Sequence, residues 1–367
     1  MKIAIVHDHL CGKGGSERVF QYICEAFPEA DTYTLAFNPA KTFPYFANRH
    51  IRTTWLQPLV QSSRAFRWSF PLASYAMQSL DFSNYDLVIS SSTTTAKYLI
   101  APFHICYCYM PTRALWHFDS YFGHSKIKLF LKPLLPLLKK RDFAAAQKVD
   151  YFLTISQSSQ SYIKQYYARD AEVLYCPIDT SPFYLSPKKD HYLIVSRLEY
   201  WKRVDYAIEA FNSLGRPLKI IGAGAEEPKL RAMAKSNISF LGEVDDITLA
   251  REYSECKAVI FTPFLEYGLI PLEANASGTP VIAYGHGGIR ETMIPHDSPL
   301  GQSPTAVFFY EQTPQALSSA VQAFETLSFD SNCLREHALQ WDCSVFIQNF
   351  RKKIFSFAQP RAKSSQK

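Results

Sequence analysis

The chain has 367 residues, 47% hydrophobic and 20% charged, with a formal net charge of +6. That length exceeds one ordinary core and suits two domains of roughly 150 to 200 residues. No run approaches the roughly 20 apolar residues that cross a bilayer, and the charge suits an acidic ligand or an anionic membrane surface while being too mild to indicate nucleic acid. The start, MKIAIVHDHL, lacks the layout of a cleavable signal and reads as a strand over 2–7. The loop CGKGG follows, then a helix from Ser16 as N-cap, with Val19, Phe20, Ile23 and Phe27 at helical spacing. Further strands are expected at 31–36, 86–90, 104–109 and 151–155.

Between Arg113 and Lys148 stand eight basic residues, Lys126, Lys128 and Lys132 among them, against Asp119 and Asp142. They are interleaved with Trp116, Phe118, Tyr121, Phe122, Phe130 and the run LFLKPLLPLLKK. Such alternation suits a segment resting on anionic lipid headgroups; a solvated helix with an ordinary core side is the plainer alternative. DTSPFYLSPKKDH, 179–191, is rich in Pro, Ser and Lys and reads as the interdomain linker. After it the pattern restarts, with strands at 192–196, 217–221, 238–241 and 258–263, each followed by a loop and a helix, and Gly278-Thr279-Pro280-Val281-Ile282 then enters a further strand. Strands alternating with helices indicate a parallel, doubly wound α/β sheet, here twice over. WDCSVFIQNFRKKIFSFA reads as a closing amphipathic helix. The expected division is a first Rossmann-like domain over 1–183, a second over 184–340, the helix over 341–358 and a disordered tail over 359–367.

The eight cysteines are scattered without C-x-x-C spacing, as expected of reduced thiols in the cytoplasm. GAGAEE, 222–227, has Glu227 where a dinucleotide fingerprint needs its third glycine, which argues against a nicotinamide enzyme. GKGGS, 12–16, lacks P-loop spacing but offers flexible backbone and a helix N-terminus, where amides can face a phosphate. Arg197 and Lys202, in SRLEYWKRV just past a strand end, are candidate diphosphate ligands: Arg forks to two oxygens and Lys acts as a point charge. Arg203 is their plain surface competitor. No histidine or carboxylate cluster suggests a metal, Asp245-Asp246 reads as a helix start, and no G-x-S-x-G is present. LEYGLIPLEANASGTPVI then sets Glu266 and Glu273 on either side of an apolar turn between strand and helix. Carboxylates for hydroxyls, with cations for a diphosphate, point to a nucleotide-sugar.

VHDHLCGKGGSERVF, YARDAEVLYCPIDTSPF, VSRLEYWKRVDYAIEAF and LEYGLIPLEANASG together resemble the retaining glycosyltransferases of family four. The likeness is to the mannosyltransferase-like branch of bacterial surface polysaccharide synthesis and runs from residue 1 to about 355. It implies the GT-B fold: two Rossmann-like domains facing across a cleft, with a C-terminal helix returning to the first. It further implies that Arg197 and Lys202 bind the donor diphosphate and that Glu273, opening its helix, holds the ribose. Gly14, Gly15, Gly222 and the backbone of Gly268, Leu269 and Ile270 would line the donor, with Tyr109 and Arg113 on the acceptor side. The family's first glutamate normally stands eight positions before the second; here that slot is Leu265, and Glu266 is expected to take over its contact with the sugar. Tyr109 stands where relatives often carry His.

The function so implied is metal-independent and cofactor-free transfer of a hexose to a glycan or lipid-linked acceptor, at the inner face of the membrane. The donor is expected to be GDP-mannose, with a UDP-linked hexose as the alternative. A catalytically silent nucleotide-sugar-binding partner is the reading from another class, motivated by Leu265 and Tyr109. A sugar-nucleotide epimerase lacks its usual carboxylate and histidine arrangement.

Overall fold

The computed structural model describes residues 1–122, 127–299 and 301–364, in two compact units: 1–176 with 344–364, and 177–343. Lys126 of the basic segment lies outside the described residues.

The first unit holds a seven-stranded parallel sheet built from β1 (Ile3–His7), β2 (Asp31–Thr34), β3 (Ile51–Thr53), β4 (Leu87–Ser92), β5 (His104–Cys108), β6 (Tyr151–Thr154) and β7 (Ala171–Val173). Its order is β3-β2-β1-β4-β5-β6-β7. The second unit carries β8 (Tyr192–Val195), β9 (Leu218–Ile221), β10 (Ile238–Gly242), β11 (Val259–Phe261), β12 (Val281–Tyr284) and β13 (Ala306–Phe309), ordered β10-β9-β8-β11-β12-β13. Every strand pair is parallel.

Helices cover both faces of such a sheet, so its strands are apolar at successive positions rather than at alternate ones. The second unit shows this residue by residue. Tyr192, Ile194, Ile220, Ile260, Ile282 and Val307 fill one core, while Leu193, Ile221, Val259, Val281 and Ala306 fill the other. The two-residue period of a strand splits each apolar run between two cores.

Three strands were not expected: β3, β7 and β13. All three are sheet edges. β3 and β7 are only three residues long and mostly unburied, so they carry too little pattern to be read.

The segment 179–191 is no free linker. Phe183 is buried, and Lys188 donates to the carbonyl of Ser254 at 2.8 Å and to the Thr279 hydroxyl, which fastens it to the second unit. Burial of that ammonium lowers its pKa to about 8. The closing helix, Cys343–Ser364, continues past residue 358, where a tail was expected to begin. It packs on the first unit through Phe346, Phe350, Ile354 and Phe357, spaced to fall on one helical face. Phe350 lies 5.8 Å from the Tyr107 ring, and Arg351 donates to the Ala26 carbonyl at 2.8 Å. Among the described residues, no helix is long and apolar enough to cross a membrane, and all eight cysteines are free thiols.

Candidate functional site

In the second unit β8 pairs with β9 on one side and β11 on the other, so the chain reverses its direction of travel there. Ligands of open parallel sheets bind outside the carboxyl ends of strands at such a reversal. The loops leaving β8 and β11 carry Arg197, Lys202, Glu266 and Gly268.

After β8, Arg197 is exposed, while Lys202 closes a single 3-10 turn, Tyr200–Lys202, and is only 8% exposed. Trp201 stands between them. The Lys202 ammonium is 4.3 Å from the centroid of its indole ring and the Arg197 guanidinium 5.6 Å, so one ring gathers both cations. The Thr262 hydroxyl, just past β11, donates to the Lys202 carbonyl at 2.8 Å and ties the two loops together. Arg203 is spent elsewhere: its guanidinium pairs with the Asp205 carboxylate at 3.1 Å and stacks 3.7 Å from the centroid of Tyr206. Among the described residues, Arg197 has no ion pair.

The glycines of GAGAEE seat this loop. A Cβ on Gly222, whose φ is +123°, would lie 2.0 Å from the Ser196 carbonyl oxygen, and one on Gly224 would lie 2.3 Å from that of Leu198. The closeness is used: Leu198 donates its amide to Ala223 at 2.9 Å and accepts from the Glu226 amide at 2.9 Å. Gly222 thus acts on the Arg197 loop by letting two backbones meet.

After β11, Gly268 caps the helix Leu269–Ala276, with Leu269 and Ile270 in its first turn. The first amides of a helix have no carbonyl partner within it and carry partial positive charge. Glu273, expected to open the helix, sits one turn further in. It is half-buried and accepts from the Tyr253 hydroxyl at 2.9 Å. Burial, then the Glu273 charge, hold the Tyr253 pKa well above its ordinary value, so that hydroxyl stays a donor. Glu266 is 7% exposed. Its backbone is held by GHGG after β12: Gly288 donates to the Leu265 carbonyl at 2.9 Å, and a Cβ on Gly288 would lie 1.9 Å from the Glu266 backbone carbonyl oxygen. Trp201, Gly287 and Gly288 were missed from the sequence. The available signals were an aromatic between two cations and a glycine pair following a strand.

The first unit has its own reversal at β1, which pairs with β2 and β4. Asp8, fully buried past the end of β1, accepts from the amides of Thr93, Thr94, Thr95 and Ala96 at 2.6 to 2.9 Å. Burial alone would raise its pKa, but His7 and these donors outweigh it and hold the carboxyl below its ordinary value. Burial lowers the pKa of His7 to about 4, so that ring is neutral at pH 7. Lys97 and Asp142 form a wholly buried ion pair at 2.9 Å. Asp142 also accepts from Tyr98, Thr112, Trp116 and Tyr167.

Gly14, not Ser16, is the N-cap of the helix Gly15–Ala26, and it supplies no side-chain bond. The Ser16 hydroxyl instead donates to Glu17 Oε2 at 3.0 Å, and that oxygen lies 2.6 Å from where a Gly14 Cβ would sit. A carboxylate therefore already occupies the helix start at which amides were expected to meet a phosphate. Tyr109 is 9% exposed, and its hydroxyl is committed inward, to the Ser16 carbonyl and the Ser91 hydroxyl at 3.0 Å each. It fastens the Gly14–Ser16 turn. Arg113 opens a short helix half-buried, its Nε donating to Met110 Sδ at 3.1 Å. Among the described residues, no group of three or more His, Cys, Asp or Glu side chains could hold a metal ion.

Two family models match end to end: Glycosyltransferase Family 4 over residues 13–182, and Glycosyl transferases group 1 over residues 180–341. An uncharacterized glycosyltransferase of Methanocaldococcus jannaschii is 29% identical over 139 residues, 35% of this chain. The match spans 34% of that curated relative, about a third of its length. Sucrose-phosphate synthase from Thermosynechococcus elongatus has a similar structure, with TM-score 0.75 and 15% identity over 97% of this chain and 99% of that one. Anabaena HepE in complex with UDP-glucose follows at TM-score 0.69 and 17% identity, covering 97% and 100%. Two parallel-sheet α/β domains with these neighbours make the fold GT-B.

Proposed function

Because this chain belongs to the glycosyltransferases, with a family 4 region followed by a group 1 region, we propose that it transfers a hexose from a nucleotide diphosphate sugar to a glycan or lipid-linked acceptor in surface polysaccharide synthesis. The observation that carries this reading is the pair of cations gathered on Trp201 at the β8–β11 reversal, on a loop that the Thr262 hydroxyl ties to the one opening the helix Leu269–Ala276.

In this reading Arg197 forks onto the diphosphate and Lys202 adds a fixed point charge. The amides of Leu269 and Ile270 complete the anion site. Glu273, held by Tyr253, accepts from the ribose hydroxyls, and Glu266 accepts from the transferred sugar. The acceptor hydroxyl attacks the anomeric carbon as the bond from that carbon to the diphosphate oxygen breaks. The departing oxygen keeps the bonding pair and takes the acceptor's proton, so no protein nucleophile is needed. Preorganised cations and amides stabilise the charge that develops on the leaving group. Retention of anomeric configuration is part of the proposal, supported by the family resemblance and testable from product stereochemistry. In the first unit, the Glu17 carboxylate beside Gly14 and Gly15 makes that turn an acceptor for sugar hydroxyls rather than a cradle for phosphate. Branch resemblance favours GDP-mannose as donor, whereas the UDP-glucose complex of a similar structure favours a UDP-hexose.

Calorimetric titration of GDP-mannose and UDP-glucose into wild type, Arg197→Ala and Glu273→Ala tests the proposal. Binding of one donor by wild type, lost or strongly weakened in both variants, is expected. Absence of binding to either donor or its nucleotide would overturn it. Binding without turnover, when a panel of lipid-linked glycans is supplied, would identify a silent partner instead.

A further inference from the structure

The basic segment of the first unit divides in an unusual way. Its longest helix, Leu135–Ala146, turns Asp142, Ala145 and Ala146 inward. What it turns outward is apolar: Leu137 is 59% exposed and Phe143 is exposed, with Lys140 between them. Just before it, Leu134 is 48% and Leu129 74% exposed, on either side of exposed Lys132. An ordinary surface helix does the reverse, turning its apolar stripe to the core.

The charge on this face is predominantly positive: exposed Asp119 pairs with Lys128 at 2.7 Å, while Lys132 and Lys140 stand exposed beyond it. Between residues 127 and 148 the only carboxylate is Asp142, and it is fully buried and neutralised by Lys97. The patch also extends onto a second element. Arg141 donates to the Ser74 hydroxyl at 3.1 Å and stacks 3.9 Å from the centroid of the Tyr75 ring, which brings the exposed Leu72 and Tyr75 alongside.

We propose that this face of the first unit, Leu129, Leu134, Leu137 and Phe143 with Lys132 and Lys140, docks on an anionic lipid bilayer. A bilayer interface takes up leucine and phenylalanine side chains, and its headgroup charge draws the lysines. With Asp119 spent on Lys128, the exposed charge that remains, at Lys132 and Lys140, is complementary to a negative surface. A protein partner built to cover these lysines would need a matching set of carboxylates, whereas an anionic membrane supplies the negative charge as headgroup phosphates. The inference deepens the proposed function, since it brings the enzyme to a lipid-linked acceptor, and it rests on that reading only for the acceptor.

The experiment is vesicle co-sedimentation of the full chain without any nucleotide, which separates it from the donor question. Vesicles of phosphatidylcholine alone are compared with vesicles containing phosphatidylglycerol. Binding to the anionic vesicles only, weakened by salt, is expected. Lys132→Gln and Lys140→Gln should each weaken it roughly fivefold. Leu134→Ser with Leu137→Ser should weaken it further at unchanged charge; both positions are exposed, and a retained unfolding midpoint verifies that the variant folds. Equal binding to both vesicle types, no binding, or binding indifferent to these substitutions would overturn the proposal. So would a concentration-dependent dimer abolished by the leucine variant without vesicle binding, which would assign the face to a second copy of the chain.

Discussion

The two chain reversals treat their polar groups in opposite ways. At β1 of the first unit the charges are closed upon themselves: Asp8 is surrounded by four amides, Asp142 is matched to Lys97, and Tyr109 is bonded inward. At β8 of the second unit Arg197 stands exposed without an ion pair among the described residues, on a loop whose backbone is held by glycine contacts. A charge buried with its partners rigidifies a loop, while a charge presented on a fixed backbone is left for a ligand. Substitutions at the first reversal should therefore be read in stability and those at the second in donor binding.

The largest effect should come from the buried pair. Asp142→Ala strands the Lys97 ammonium in the interior and should cost about 3–5 kcal/mol of unfolding free energy, measured by urea denaturation. A loss below 1 kcal/mol would show that the pair is not closed as described.

Acid should strike the same unit. Burial lowers His7 to about 4 and His104 to about 3, so the folded state disfavours their protonation. The unfolded chain takes up protons near its ordinary histidine pKa of about 6.5. Their contribution is therefore complete above that pH and is lost as pH falls toward the folded values, by about 1.4 kcal/mol per pH unit for each ring. Urea midpoints at pH 7 and pH 5 measure this, and His104→Asn should flatten the slope by one proton.

At the second reversal, Arg197→Ala should leave the unfolding midpoint unchanged and weaken donor binding by about 1.5–3 kcal/mol, the value of a charged hydrogen-bonding contact. Gly222→Ala should also weaken binding, without removing any ligand, because its Cβ would displace the Ser196 carbonyl. Binding unaffected by Gly222→Ala would show that the seat of the loop is slack. The smallest effect on donor binding belongs to Arg203→Ala, whose part-buried, two-bond pairing with Asp205 contributes about 1 kcal/mol to stability and nothing to the donor. Calorimetry on Arg197→Ala and Arg203→Ala side by side gives the sharpest test of which cation serves.

The sequence by itself determined the doubly wound α/β architecture, because a strand buried on both faces writes a continuous apolar run and helices write a 3.6-residue period. It also gave the closing helix, through Phe346, Phe350 and Ile354, and it placed Arg197, Lys202, Glu266 and Gly268 in loops after strands. Only the tertiary structure decided which cations are available, since Arg203 differs from Arg197 in having Asp205 within reach of its folded side chain. It likewise turned Tyr109 inward, moved Glu273 a turn into its helix and showed Gly222 to be a backbone seat. It also left the sole carboxylate of the 127–148 segment buried, so that the exposed charge there is all positive. The physical reason is common to these cases. Period and composition are local properties that each element carries alone, whereas the partner of a charge or the neighbour of a glycine is set by segments distant in sequence, brought together only when the sheets form.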